Sequence, residues 1–193
     1  MLDVPPPLGA ADAPPWLVNA GVEPKLLTLL MPRRRAADGT KHVLLGLKKR
    51  GFGAGFYNGF GGKVEASDAS VAGAAVRELR EESGLVASEE ALRRCGTLVF
   101  HFDANPQPWR VAVYELREWA GEAEETEEMA PVWTPEAEIP YDKMWADDAL
   151  WYPHFLAGRA FRGTFWFRDT TRLVAHSLCA VEEAEMAEDV ALD

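Results

Sequence analysis

The chain has 193 residues, 48% of them hydrophobic, with seven Trp and a formal net charge of −11. That length suits one domain with some tail, and the composition supports a packed core. No apolar run approaches the roughly 20 residues of a transmembrane helix, and the acidic balance argues against a nucleic-acid polymer as partner, because such binding is driven by basic surface.

Residues 1–22 carry two proline clusters, Pro5-Pro6-Pro7 and Pro14-Pro15, without any period, and are expected to form a loosely attached tail. Met1-Leu2-Asp3-Val4-Pro5 lacks the basic and apolar stretches of a secretory signal, so no targeting segment is expected. Strands are expected over Lys25–Met31 and His42–Lys48, with Arg33–Lys41 as the turn between them. A glycine-rich loop follows from Gly51 to Gly62. A helix is expected from about Ser70 to Ser83, with Ser70 or Asp68 as its cap and Gly84 as the residue that ends it. Strand-like runs come next at Gly96–Asp103 and Trp109–Leu116, then an acidic loop at Glu122–Glu128. A second helix fits Asp147 to about Ala157, with Gly158 as its stop, and two last strands fit Gly163–Arg168 and Arg172–Ala180. Residues 183–193 are acidic and expected to fray. Few helices among many strands argue an α+β domain with a mixed sheet over 23–182.

The run Arg77-Glu78-Leu79-Arg80-Glu81-Glu82-Ser83-Gly84-Leu85 carries the chemistry. Glu78, Glu81 and Glu82 stand at i, i+3 and i+4 and share one helix face, where like charges repel unless a cation sits among them. A hard divalent ion takes oxygen ligands of this kind. Val71, Ala74, Ala75 and Leu79 form the opposite face, suited to packing on a sheet. Taken alone, the triplet reads first as a solvated acidic face paired with Arg77 and Arg80, and only its context changes that.

With Gly61-Gly62-Lys63-Val64 upstream and Gly84-Leu85 downstream, residues 62–85 resemble the Nudix box, G-x₅-E-x₇-R-E-U-x-E-E-x-G-U, where U is a bulky aliphatic residue. The second half matches from Arg77 to Leu85. The first half is one residue longer than the pattern, and Asp68 or Ala69 stands where it has a glutamate. The resemblance implies the Nudix fold, a mixed sheet flanked by helices as an αβα sandwich. It also implies a divalent ion, Mg²⁺ with Mn²⁺ as a substitute, held by Gly62, Glu78, Glu81, Glu82 and Glu128. Such an ion neutralises phosphate charge and activates water. Arg77 by the same analogy orients a glutamate of the cluster.

The glycines fit neither standard phosphate loop. A Walker A pattern ending at Lys63 needs Gly at 57 and Ser or Thr at 64, where the chain has Tyr57 and Val64. A dinucleotide fingerprint should open a helix at once, and none is expected there. As a block, Lys48 to Gly55 followed by Asn58 to Val64 resembles the oxidised-purine nucleoside triphosphatases of the Nudix superfamily. The likeness continues through Val99 to Phe102, Glu127 to Trp133, Met144 to Asp148, Trp151 to Pro153 and the final hairpin. Phe56 and Tyr57 stand where that family usually has Arg and Trp.

A flat oxidised purine should stack on an aromatic and be read at its edge by polar groups. Trp145 is the expected platform; Asp147 and Asp148 are the expected edge readers, and the Asn58 amide offers both donor and acceptor. An ionised carboxylate cannot donate to a purine O6, whereas adjacent buried acids could keep one proton between them. N-capping is the plainer reading of that acid pair, and core packing that of Trp151. By family position Thr28, Lys48, Phe52, Phe100, Phe102 and Met129 line the same pocket, with Trp109 nearby.

Cys95 and Cys179 are too few for a disulfide framework and read as ordinary buried or half-buried thiols of a reducing compartment. The expected setting is a cytoplasmic monomer, with nucleus and mitochondrion as further compartments, acting on a small nucleotide away from membranes. His42, His101, His154 and His176 have no metal spacing and read as surface or strand residues. Together these readings point to metal-dependent hydrolysis of oxidised purine nucleoside triphosphates to monophosphate and pyrophosphate. The alternatives are a Nudix hydrolase of ADP-ribose or a dinucleotide, and a non-catalytic nucleotide sensor.

Overall fold

The computed structural model describes residues 21–187. Most of the proline-rich segment and the acidic end from 188 onward therefore lie outside the described residues. Eight strands form one curled mixed sheet: β1 (Lys25–Arg35), β2 (Lys41–Lys48), β3 (Tyr57–Asn58), β4 (Leu92–Phe102), β5 (Asn105–Leu116), β6 (Met129–Pro135), β7 (Phe161–Arg168) and β8 (Arg172–Ala180). Three α-helices accompany them among the described residues: α1 (Val71–Ser83), α2 (Asp148–Leu156) and the short α3 (Glu183–Ala187).

β1 joins two parts of the sheet. Its first stretch pairs parallel with β5, from Lys25 opposite Trp109 to Pro32 opposite Leu116. Its last three residues, Arg33 to Arg35, pair antiparallel with β2. β1 is thus longer than the expected Lys25–Met31, and the turn shrinks accordingly. Arg33 and Arg34 look like turn residues by polarity, yet Arg33 is buried and Arg34 stacks its guanidinium 4.0 Å from the Trp133 ring.

On the other edge of β1 runs the segment 60–64. Thr28 N–H donates to Gly62 C=O at 2.8 Å, Phe60 N–H to Leu30 C=O at 2.9 Å and Val64 N–H to Leu26 C=O at 3.0 Å. A side chain on Gly61 would run into the Thr28 carbonyl, so only glycine lets the segment lie this close. The glycine-rich loop is a backbone strip fitted to a strand edge, and it passes beneath α1.

α1 forms where expected. Ser70 caps it by accepting from Gly73 N–H at 2.8 Å, and Gly84 ends it in the left-handed conformation at φ 76°. Val71, Ala74, Ala75 and Leu79 are buried against Leu30, Leu44, Phe60 and Tyr114. On the other side of the sheet, Trp151, Tyr152 and Phe155 of α2 pack with Phe161, Phe165, Leu98 and Val113. The two apolar layers fix α1 and α2 on opposite faces of the sheet.

Two elements differ from expectation. β6 continues straight out of the acidic loop and pairs along the whole of β2, from Met129 opposite Lys48 to Pro135 opposite His42; its two prolines, Pro131 and Pro135, hid it from a strand reading. The region from 183 opens as α3, with Met186 buried and Glu183 and Glu185 paired to Arg93 and Arg162. Three of the four His lie in strands; His154 is on α2, and His176 is buried. Cys95 is buried, its thiol pushed up to about 12 by desolvation, whereas Cys179 is exposed.

Candidate active site

The three helix glutamates are not equivalent. Leu79 is fully buried, and Glu82 follows it on the inward side of α1, so its side chain is only 4% exposed. There it meets the glycine strip: Gly61 N–H donates to its Oε2 at 2.9 Å, and Lys48 Nζ lies 3.0 Å from its Oε1. Burial pushes the Glu82 carboxyl above the usual carboxylate range despite those partners. Glu78 is half-buried and is likewise raised by desolvation. A Cβ on Gly62 would stand 2.6 Å from the Glu78 carboxylate and would displace it. Glu81 lies at the solvent side, its carboxylate 59% exposed.

Arg77 ties this face together. Its Nη1 reaches Glu78 at 2.9 Å and Glu81 at 3.3 Å. Its Nε and Nη2 form a two-pronged pair with Asp68 at 2.9 and 3.0 Å, and Nη2 also donates to the Lys63 carbonyl. Asp68 therefore supplies the carboxylate that the irregular first half of the box left in doubt, and the pairing holds it below the usual carboxylate range.

Glu128 approaches from the loop before β6. Its Oε1 lies 2.6 Å from Lys48 Nζ, which holds Glu128 below the usual range. Among the described residues no three His, Cys, Asp or Glu side chains converge on one point as a ready cage for an ion. Cations of the protein itself hold these carboxylates instead. The donors still fit a hard divalent ion in kind: buried or half-buried carboxylates on one helix, raised by desolvation, beside a strip without side chains.

A cavity opens beside Glu82. Thr28, Lys48, Phe52, Asn58, Phe100, Phe102, Met129, Trp145, Asp147 and Asp148 all line it, as do Gly61, Gly62 and Glu82. Every residue expected at the base therefore lies in one place, although they come from β1, β2, β3, β4, β6 and the entrance to α2. Glu78, Glu81, Arg77 and Glu128 lie outside its wall, on the carboxylate side. Trp109 does line the cavity, and Lys25, Leu27, Trp151 and Phe167 join it without having been expected there. The parallel pairing that sets Lys25 beside Trp109 leaves no local trace in the sequence.

The aromatic wall is continuous. Phe52 stacks on Trp145 with centroids 5.0 Å apart at 13°, and Phe52, Phe102 and Trp109 meet edge to face. Gly53 at φ 81° sits against the Trp145 indole, where a Cβ would come within 3.2 Å. Asn58 Oδ1 accepts from Gly59 N–H at 2.9 Å, which orients the amide.

Asp147 and Asp148 are both buried. Neither caps α2 through its side chain in the forward direction. Asp148 instead accepts from Trp145 N–H at 3.0 Å, and Asp147 accepts from the Trp151 indole N–H at 3.1 Å. Desolvation pushes Asp147 up to about 7, and burial together with the neighbouring Asp147 charge raises Asp148 as well. The acids thus hold the Trp145 backbone and the Trp151 indole, and Asp147 makes no side-chain cap to α2. Trp151 is fully buried, in agreement with its core reading, and it also forms part of the wall.

A carboxylate helix, a side-chain-free strip and an aromatic pocket now stand side by side. The model of the NUDIX domain family matches residues 24–155. The chain belongs to the NUDIX family. Among curated relatives, the oxidized purine nucleoside triphosphate hydrolase of Danio rerio is 42% identical over 159 residues, covering 82% of this chain and 97% of that protein. The hydrolase of the same description from Mus musculus is 40% identical over 157 residues, covering 81% of this chain and 94% of its own. Among solved structures, the mutator MutT protein of Bacillus halodurans shares the fold, with a TM-score of 0.68 at 23% identity over 80% of this chain and 97% of that one. Nudix hydrolases act on phosphoanhydrides with the help of divalent metal ions, so a small nucleotide is the partner expected at this site.

Proposed function

We propose that this Nudix chain hydrolyses oxidised purine nucleoside triphosphates of the 8-oxo-dGTP and 2-hydroxy-dATP type, consuming one water and forming the nucleoside monophosphate and pyrophosphate. The activity would remove damaged precursors from the nucleotide pool. The observation that carries the reading is the cavity that joins Asn58, Trp145, Asp147 and Asp148 to Glu82 and Gly61-Gly62. A base at the first set leaves its phosphates directed at the second. The relatives named for oxidised purine substrates support the same choice.

In this reading Trp145 stacks on the base, and Asn58 and the acid pair read its edge. The two buried acids share a proton, so one donates where the other accepts. Glu78, Glu81, Glu82, Glu128 and the Gly62 backbone would hold Mg²⁺. The ion supplies charge neutralisation at the phosphates and a more acidic water. Asp68 fixes Arg77, and Arg77 in turn positions Glu78 and Glu81. Phosphate substitution rests mainly on positioning and charge, so no protein nucleophile is needed. A cytoplasmic monomer is the proposed working form.

The deciding experiment is pyrophosphate release with Mg²⁺ from dGTP, 8-oxo-dGTP and 2-hydroxy-dATP, with ADP-ribose and a diadenosine polyphosphate scored by monophosphate release. Preference for the oxidised triphosphates, abolished by Glu82→Gln, is expected. Turnover confined to ADP-ribose or the dinucleotide would overturn the base assignment and retain the Nudix chemistry.

A further inference from the structure

Lys48 ends β2 and holds two of the proposed metal ligands at once, with Nζ 3.0 Å from Glu82 Oε1 and 2.6 Å from Glu128 Oε1. These residues come from three separate elements. Their backbones are tied as well, since Lys49 N–H donates to the Glu128 carbonyl at 2.8 Å. The Glu82 carboxylate is buried, and its second oxygen is taken by Gly61 N–H. A divalent ion needs carboxylate oxygens at about 2.1 Å. An ammonium in contact with both acids occupies oxygens that such an ion would need, and two cations that close repel.

We propose that Lys48 is the resident cation of the metal position: its ammonium and the divalent ion compete for Glu82 and Glu128. Lys48 also lines the cavity that carries Asn58 and Trp145. The competition therefore keeps two acids neutralised until the ion arrives, and then frees a positive charge beside the nucleotide's phosphates. In the metal-free protein Lys48 acts as a positioning residue, holding Glu82 and Glu128 together.

This inference rests on the proposed metal site, and the test separates the two. Mn²⁺ is titrated into the full chain without nucleotide at pH 8, with the free ion followed by electron paramagnetic resonance. Lys48→Met is expected to bind Mn²⁺ on the order of tenfold more tightly than the wild type, because an adjacent charge is removed. Lys48→Gln should act in the same direction and serves if the Met variant fails to fold. Lys48→Arg, which keeps the charge, should stay close to the wild type. Equal or weaker Mn²⁺ binding in both uncharged variants overturns the competition while leaving the metal site standing. Binding by no form of the protein overturns the metal site itself.

Discussion

Asp147 shows how one residue's surroundings set its chemistry. It is buried next to a second acid, its side chain meets an indole N–H, and desolvation carries it up to about 7. A carboxyl group raised in the folded state stabilises the fold most below its unfolded value, and that contribution is lost as pH rises through the folded value. The wild type should therefore lose stability relative to Asp147→Asn as pH rises from about 4 to 7, by about 1.4 kcal/mol for each pH unit. Urea midpoints of both proteins across that range measure it. A difference that does not vary with pH would mean that Asp147 is ionised throughout and that the shared-proton reading fails. Glu82 is also raised by desolvation, but Lys48 and Gly61 N–H reach it and oppose the shift.

At the scale of elements, α1 is held by its ends as well as its buried face. Ser70 closes the first turn and also donates to Glu89 beyond the helix, while Gly84 closes the last turn. Ser70→Ala removes both bonds and should cost about 1 kcal/mol, the usual worth of such a cap. The loss should appear in chemical denaturation with the slope unchanged. Activity under saturating metal should change little, since the Glu78 and Glu82 end of α1 is anchored by Leu79 and Gly84. β6 is the converse case: it follows an acidic loop and contains two prolines, yet β2 pairs with it from end to end.

For the whole molecule, the unexpected centre of charge is Glu115. It is 1% exposed and accepts from Arg33, Arg93 and Arg117 at 2.8 to 3.0 Å. Arg33 also bonds Glu136 and the C-terminal carbonyls Phe155 and Leu156 of α2, and Arg93 reaches Glu183 on α3. The network thus joins β1, β4, β5, α2 and α3. Burial alone would raise Glu115, but the bonds from Arg93 and Arg117 outweigh it and the group is held below its usual range. Glu115→Ala strands buried positive charge and should cost about 3 kcal/mol. It should also lessen acid sensitivity, because stability that depends on a lowered carboxylate is lost as pH falls. Thermal melts of wild type and variant at pH 5 and 7.5 check both parts. Among the described residues no helix is long and apolar enough to cross a membrane.

What the sequence by itself determined was local or periodic. The 3.6-residue spacing brought Glu78, Glu81 and Glu82 together along α1, and Ser70 and Gly84 marked the helix ends through side-chain and backbone preferences that act within a few residues. The match around Arg77-Glu78 singled out the carboxylate face, and the family likeness around Asn58 and Trp145 singled out cavity-lining residues one by one. Tertiary structure alone decided which of those groups meet. Asp68 finds Arg77 because the loop after Gly62 bends back on α1, and Gly61 finds Glu82 because a strip without side chains fits the edge of β1. Lys48, Glu82 and Glu128 converge from positions 34 and 46 residues apart in turn. Burial follows from that convergence, and burial sets which acids keep a proton. Pairings of this range depend on how the sheet closes, which a local run of residues does not encode.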